Sequence, residues 1–228
     1  MVKKYIILSE KKWHKSLFNN LKKLLFNDSW LLIDDKNDFN SSNIKVLNPS
    51  KIFIPHWSYV IPSEIFENYD CIVFHMTDLP FGRGGSPLQN LILKGYKTTK
   101  ISAIKVDDGL DTGDIYLKRT LNLEGNATQI FEKSSFIIEE MIREIIEKNI
   151  SPYPQAGEIT KFKRRKPDES NLVDLSDLEK VYDHIRMLDC DGYPYAFIET
   201  PNIKFEFTNA NFDTYNQIIS ANVRIIKK

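Results

Sequence analysis

The 228-residue chain predicts an α/β fold with a mostly parallel sheet, followed by a small α+β subdomain. Three observations carry that expectation. Short apolar runs alternate with helical periodicities over the first half, the pattern of parallel strands joined by helical crossovers. A long amphipathic stretch, Asn126 to Asn149, follows that series. After Ile150 the texture changes: Pro152 and Pro154 break the helix, a basic run spans Lys161 to Lys166, and β-forming residues then dominate. The expected division is residues 1–156 and 157–228.

Taken in order, Tyr5 to Leu8 reads as a first buried strand. Trp13 to Phe26, with Leu17, Leu21, Leu24 and Leu25 at helical spacing, reads as a helix. Trp30 to Ile33 and Lys51 to Ile54 repeat the strand signature, Pro62 to Phe66 is a Pro-opened helix, and Cys71 to Phe74 is a fourth strand. Gln89 to Leu93 resumes a helical pattern, and Lys100 to Val106 and Ile115 to Leu121 are two further strands. In the helix from Asn126, Asn126 and Gln129 have capping-box spacing, and Ile130, Ile137, Ile138, Met141, Ile142, Ile145 and Ile146 form the apolar stripe. Beyond residue 157, Leu175 to Leu188 is an amphipathic helix. Tyr195 to Ile198, Lys204 to Phe207 and Ile218 to Ile226 are strands.

With 42% apolar and 12% aromatic residues, the chain has ample core material, which excludes global disorder. Lys and Arg number 31 against 31 Asp and Glu. A grip on a long nucleic-acid backbone normally shows as a basic excess, so no nucleic-acid partner is expected. No apolar stretch approaches the roughly 20 residues of a membrane span, and the N-terminal apolar run is too short for a signal peptide, so no membrane partner and a cytoplasmic location are expected. Cys71 and Cys190 lack metal-ligand spacing, and Cys71 sits in an apolar run as a buried thiol.

Two segments could carry chemistry. His75 ends the fourth strand, where ligands of α/β sheets bind, and leads into a loop holding three of the nine glycines, Gly82, Gly84 and Gly85. It is either a turn histidine beside a loop needing glycine or a functional group. Arg83 reaches an anion or is a solvated loop charge. The second segment, Asp107 to Asp114, packs four aspartates and two glycines between strands. Such carboxylates are solvated turn residues, a cation site of non-EF-hand spacing, or partners of a group such as His75. Pro55-His56-Trp57-Ser58-Tyr59 ends the third strand, with Trp57 read as core packing.

Together these segments resemble the 10-formyltetrahydrofolate-dependent formyltransferases. Their methionyl-tRNA, glycinamide-ribotide and amino-sugar members share Asn-x-His-x-Ser-Leu-Leu-Pro-x-x-Arg-Gly-x-x-Pro and a later Gly-x-Asp-x-Gly loop. In this chain His75, Pro80, Arg83, Gly84 and Pro87 fall in register, Thr77 replaces the serine, and Gly109-Leu110-Asp111-Thr112-Gly113 supplies the loop. The resemblance implies a Rossmann-like domain using 10-formyltetrahydrofolate as cosubstrate. His75 would be the general base or proton relay, with Asp111 supporting its imidazole. It further implies Pro80, Gly84, Asp107, Gly109 and Thr112 toward the folate, and Thr77, Arg83, Gly85 and Ser86 toward the acceptor, with no metal. The family asparagine two residues before the histidine is Val73 here. Losing such an oxyanion donor costs about 10²–10³ in rate. Thr77, Gln89 and Asn90 are the nearby substitutes.

For the acceptor, the short C-terminal part, with 11 Lys and Arg against 12 Asp and Glu from residue 157 onward, argues against tRNA. Ser9-Glu10-Lys11-Lys12-Trp13 lacks the phosphate loop of the glycinamide-ribotide enzymes. The expectation is therefore formyl transfer to the primary amine of a nucleotide-linked amino-sugar in surface polysaccharide synthesis, with small-molecule nucleotide-sugar and folate as partners. Strands of the C-terminal part could pair two subunits into a homodimer. A methionyl-tRNA formyltransferase-like enzyme, a formyl-folate hydrolase and a non-catalytic binding protein are the alternatives.

Overall fold

The computed structural model describes residues 2–228. In chain order the elements are β1 (Lys4–Ser9), α1 (His14–Leu24), β2 (Ser29–Ile33), α2 (Ser41–Leu47), β3 (Lys51–His56), α3 (Ser63–Phe66), β4 (Cys71–His75), β5 (Arg83–Gly84), α4 (Pro87–Leu93), β6 (Thr98–Lys105), β7 (Ile115–Asn122) and α5 (Ala127–Glu147). There follow β8 (Lys161–Phe162), α6 (Leu178–Arg186), β9 (Ala196–Glu199), β10 (Ile203–Asp213) and β11 (Ile218–Lys227). The chain folds into two compact units. The first comprises Met1–Gly84, Lys100–Leu121 and Glu132–Lys161; the second comprises Gly85–Thr99, Asn122–Phe131 and Phe162–Lys228.

The first unit is built on a six-stranded sheet of order β2-β1-β3-β4-β6-β7. β1 pairs in parallel with β2 and β3, and β3 with β4. This is why the early strands read as unbroken apolar runs: Ile6, Ile7, Leu8, Ile52, Phe53, Ile54, Cys71 and Ile72 are all buried, as strands covered on both faces require. β6 departs from the parallel pattern and pairs antiparallel with β4, setting His75 opposite Ser102 and Ile72 opposite Lys105. Trp57 packs edge-on against Phe39 at 5.9 Å, as the packing reading of its segment expects.

Local chemistry explains most element ends. Residues Asn126 and Gln129 exchange two 3.0 Å hydrogen bonds, the Asn126 carboxamide accepting from the Gln129 N–H and the Gln129 carboxamide accepting from the Asn126 N–H. The sequence pattern does not reveal α2. Asn40 caps it, Asn48 ends it in the left-handed region at φ 45°, and among its residues Ile44 alone is buried, so its periodicity is nearly silent.

In the second unit an antiparallel sheet of order β11-β10-β9 packs with α6, whose start is capped by Asp177 accepting from the N–H groups of Glu179 and Lys180. Arg186 is buried; its guanidinium donates to Asp183 and to the carbonyls of Leu123 and Gly125. β10 outruns the expected Lys204 to Phe207 because its register against β11 shifts between Thr208 and Asn211, and pairing resumes beyond the irregularity. No helix among the described residues is long and apolar enough to cross a membrane.

Candidate active site

His75 is the last residue of β4 and is 8% exposed. Its Nε2 lies 2.9 Å from the Gly82 carbonyl oxygen. A carbonyl only accepts, so Nε2 carries a hydrogen, and Nδ1 is the nitrogen left to face Asp111. Nδ1 lies 3.6 Å from Oδ2 of Asp111. That carboxylate oxygen also accepts the Gly84 N–H at 2.8 Å, which fixes it beside the imidazole. Asp111 stands in the left-handed region at φ 56°, a conformation that costs a non-glycine residue about 1–3 kcal/mol and persists only where the surroundings enforce it.

The Asp111 loop is held from within and from without. Asp107 accepts from the Gly109 N–H at 3.1 Å and from the Thr112 hydroxyl at 2.6 Å, folding the loop on itself. A Cβ on Gly109 would come within 2.0 Å of the Thr112 hydroxyl, and one on Gly113 within 1.7 Å of the Lys105 carbonyl, so both positions demand glycine. Of the clustered aspartates, Asp107 is thus a turn-former and Asp111 faces the histidine.

The histidine loop is strapped by residues 153–160, which begin in the stretch that the sequence marks only as a helix breaker. Tyr153 exchanges backbone hydrogen bonds with Ile115, Gly157 approaches Pro80, and Thr160 accepts the N–H groups of Gly82 (through its hydroxyl, 2.7 Å) and Arg83 (through its carbonyl, 3.0 Å). The Arg83 guanidinium is not directed at solvent: its Nε and Nη2 donate to the Gln155 carboxamide oxygen at 3.2 and 2.7 Å. Thr77 is fully buried, its hydroxyl 3.4 Å from the Gly82 carbonyl. Gly85 and Ser86 belong to the second unit. There a Cβ on Gly85 would meet the Arg164 side chain, and the Ser86 hydroxyl accepts the Arg165 N–H at 3.1 Å. His75, Thr77, Pro80, Arg83, Gly84, Asp107, Gly109, Asp111 and Thr112 all lie in the first unit.

Val73, on the same face of β4 as His75, packs against Leu79, Ile104 and Ile115. Two of its nearby substitutes are engaged elsewhere: Gln89 donates to the Met187 carbonyl, and Asn90 to the carbonyls of Gly85, Ser86 and Lys163. A second histidine lies just past the end of β1. His14 is 2% exposed, with Nδ1 2.7 Å from the Ser9 hydroxyl. The same hydroxyl accepts the Lys11 N–H at 3.2 Å, tying the His14 ring to the turn after β1. Burial, with the charges of His56 and Lys11, pushes the His14 ring down to about 3.

Two family models match the chain. The formyl transferase model covers residues 20–133, half of the chain, and the model of the methionyl-tRNA formyltransferase C-terminal domain covers residues 167–226. A solved methionyl-tRNA formyltransferase from Clostridium thermocellum is 49% identical, superposes with a TM-score of 0.96, and is matched over 100% of both chains. The chain belongs to the formyltransferase family. The expectation of a formyltransferase fold with a Rossmann-like sheet and a C-terminal part is borne out. A methionyl-tRNA formyltransferase of Thermodesulfovibrio yellowstonii is 33% identical over 181 residues, 74% of this chain and 58% of that protein. The chain thus spans little more than half the length of that curated relative.

These relatives overturn the amino-sugar acceptor. A sugar N-formyltransferase structure from Shewanella sp, covering 96% of this chain and 96% of its own, reaches only 14% identity and a TM-score of 0.67, which shows shared fold alone. The short C-terminal part, taken as evidence against tRNA, matches the C-terminal domain model of the methionyl-tRNA enzymes. The expectation of no nucleic-acid partner falls with it, for a physical reason. Net charge is a sum over the chain, whereas a phosphate responds to charges within about 10 Å. Lys161, Lys163, Arg164 and Lys166 are all exposed on one short segment despite the zero total.

Proposed function

We propose that the chain transfers a formyl group from 10-formyltetrahydrofolate to the amine of methionyl-tRNA. The observation that carries this reading is the 49% identity over the full length of a solved methionyl-tRNA formyltransferase, in a chain that sets His75 against Asp111. The donor supplies an electrophilic formyl carbon. The loop fits such a donor: its internal hydrogen bonds leave the main chain of residues 108–110 and the 72% exposed Leu110 on the surface. Peptide groups beside an apolar side chain suit the edge and face of a pterin. Nδ1 of His75 takes the proton from the attacking amine, and the Asp111 carboxylate stabilises the imidazolium that results. The proton then passes to the nitrogen that leaves the formyl carbon, so none is gained or lost. The exposed cations from Lys161 to Lys166 supply sites for tRNA phosphates. A cytoplasmic setting accords with two buried cysteines that form no disulfide, Cys71, its thiol pushed up to about 12 by burial, and Cys190.

The test incubates the purified chain with 10-formyltetrahydrofolate and methionyl-tRNA. Formyl-methionyl-tRNA should form, and donor consumption should require the charged tRNA. Donor turnover without acceptor would support hydrolysis and reject the reading.

A further inference from the structure

We infer that Gln155 is a positioning residue that acts through Asp111, locking the loop whose carboxylate serves His75. All four hydrogen-bonding capacities of its carboxamide are used within the site. Its two N–H groups go to the carbonyls of Asp111 (2.9 Å) and Gly113 (2.8 Å), and its oxygen receives both Arg83 contacts. Anchoring the carbonyls of 111 and 113 pins the 111–112 and 113–114 peptide planes, which bracket the Thr112–Gly113 turn, and so supports the left-handed backbone at Asp111. The carboxylate is thereby held where the Gly84 N–H and the His75 ring both meet it. A neutral carboxamide is the group the position needs: a carboxylate offers no donor to the two carbonyls, and an aliphatic chain offers neither donor nor acceptor. The residue lies after the two Pro residues of the strap, and the backbone pairing of Tyr153 with Ile115 sets its height against the loop.

The rate arm of the test rests on the methionyl-tRNA reading; the exchange arm does not. Gln155→Met and Gln155→Glu are each made in the wild-type and Asp111→Asn backgrounds. Displacing a supporting group by about 1 Å costs about 10²-fold in rate. Both variants should therefore lower kcat by about 10²-fold while KM for methionyl-tRNA moves little. Gln155→Glu should be as slow as Gln155→Met although it keeps an acceptor for Arg83. In the Asp111→Asn background the further loss should nearly vanish, because the carboxylate that Gln155 positions is already gone. An equal loss in both backgrounds, or a Gln155→Glu rate like wild type, overturns the inference. Hydrogen exchange of the amides of residues 109–114 is read on the same proteins and should quicken in both variants. Unchanged exchange overturns the inference whatever the rates. A wild-type chain inert toward methionyl-tRNA rejects the functional reading, and exchange then decides the case of Gln155.

Discussion

His75 ends β4, and His14 opens α1 while bonded to Ser9, the last residue of β1; their surroundings assign the two histidines opposite work. The His14 ring is enclosed, shares a hydrogen bond with the Ser9 hydroxyl and faces positive neighbours, so it stays neutral and holds the β1–α1 junction. His75 donates through Nε2 to a carbonyl and turns Nδ1 toward a carboxylate, so a proton arriving there meets a negative charge rather than a positive one. Nearness to a strand's carboxyl end marks both. The difference lies in what faces the second ring nitrogen, and the partners of each ring decide it.

Substitutions that separate the two histidines break or sharpen this comparison. The largest effect is expected for His75→Ala. Loss of the proposed general base should lower formyl transfer by about 10³-fold, measured as kcat per folded molecule beside a melting curve. Asp111→Asn should follow, with a loss of about 10²-fold and an unchanged fold by circular dichroism. An Asp111→Asn rate equal to wild type would erase the contrast, since His75 would then need no carboxylate. His14→Ala reverses the pattern: it should destabilise the chain by about 1–3 kcal/mol in urea unfolding by orphaning the Ser9 hydroxyl, with the rate per folded molecule unchanged.

The pH signature of His14 sharpens the same contrast. Its ring titrates at about 3 when folded against 6.5 ordinarily, so below pH 6.5 the unfolded chain binds more protons than the folded one. Its stabilising contribution is complete above about 6.5 and falls toward pH 3, by about 1.4 kcal/mol per pH unit at the steepest. Urea midpoints across that window should show a shallower acid slope in His14→Ala than in wild type. Parallel slopes would mean that the ring is not held neutral.

Much of this was legible before folding. The strand runs, the capping of the long helix by Asn126 and Gln129, and the register of His75, Arg83 and Asp111 are each written within short stretches of chain. The roles of neighbours are not. Arg83 reads as an open cation, yet its guanidinium is taken up by a residue 72 positions away. Ser151 to Gln155 reads only as the end of a helix, yet it straps both loops. The neutral total charge pointed away from tRNA because a sum over the chain carries no geometry.

The sequence by itself determined the α/β class and the pairing of a histidine loop with an aspartate loop. Periodicity, capping and motif spacing are local properties that neighbouring residues enforce on one another. Only the tertiary structure decided which nitrogen of His75 faces the carboxylate, and that Gln155 bonds to Asp111 from 44 residues away. A tautomer is set by the partner its other nitrogen finds, and a strained loop by the carbonyls that distant side chains can reach. Both depend on distances through space that the linear order of residues does not contain.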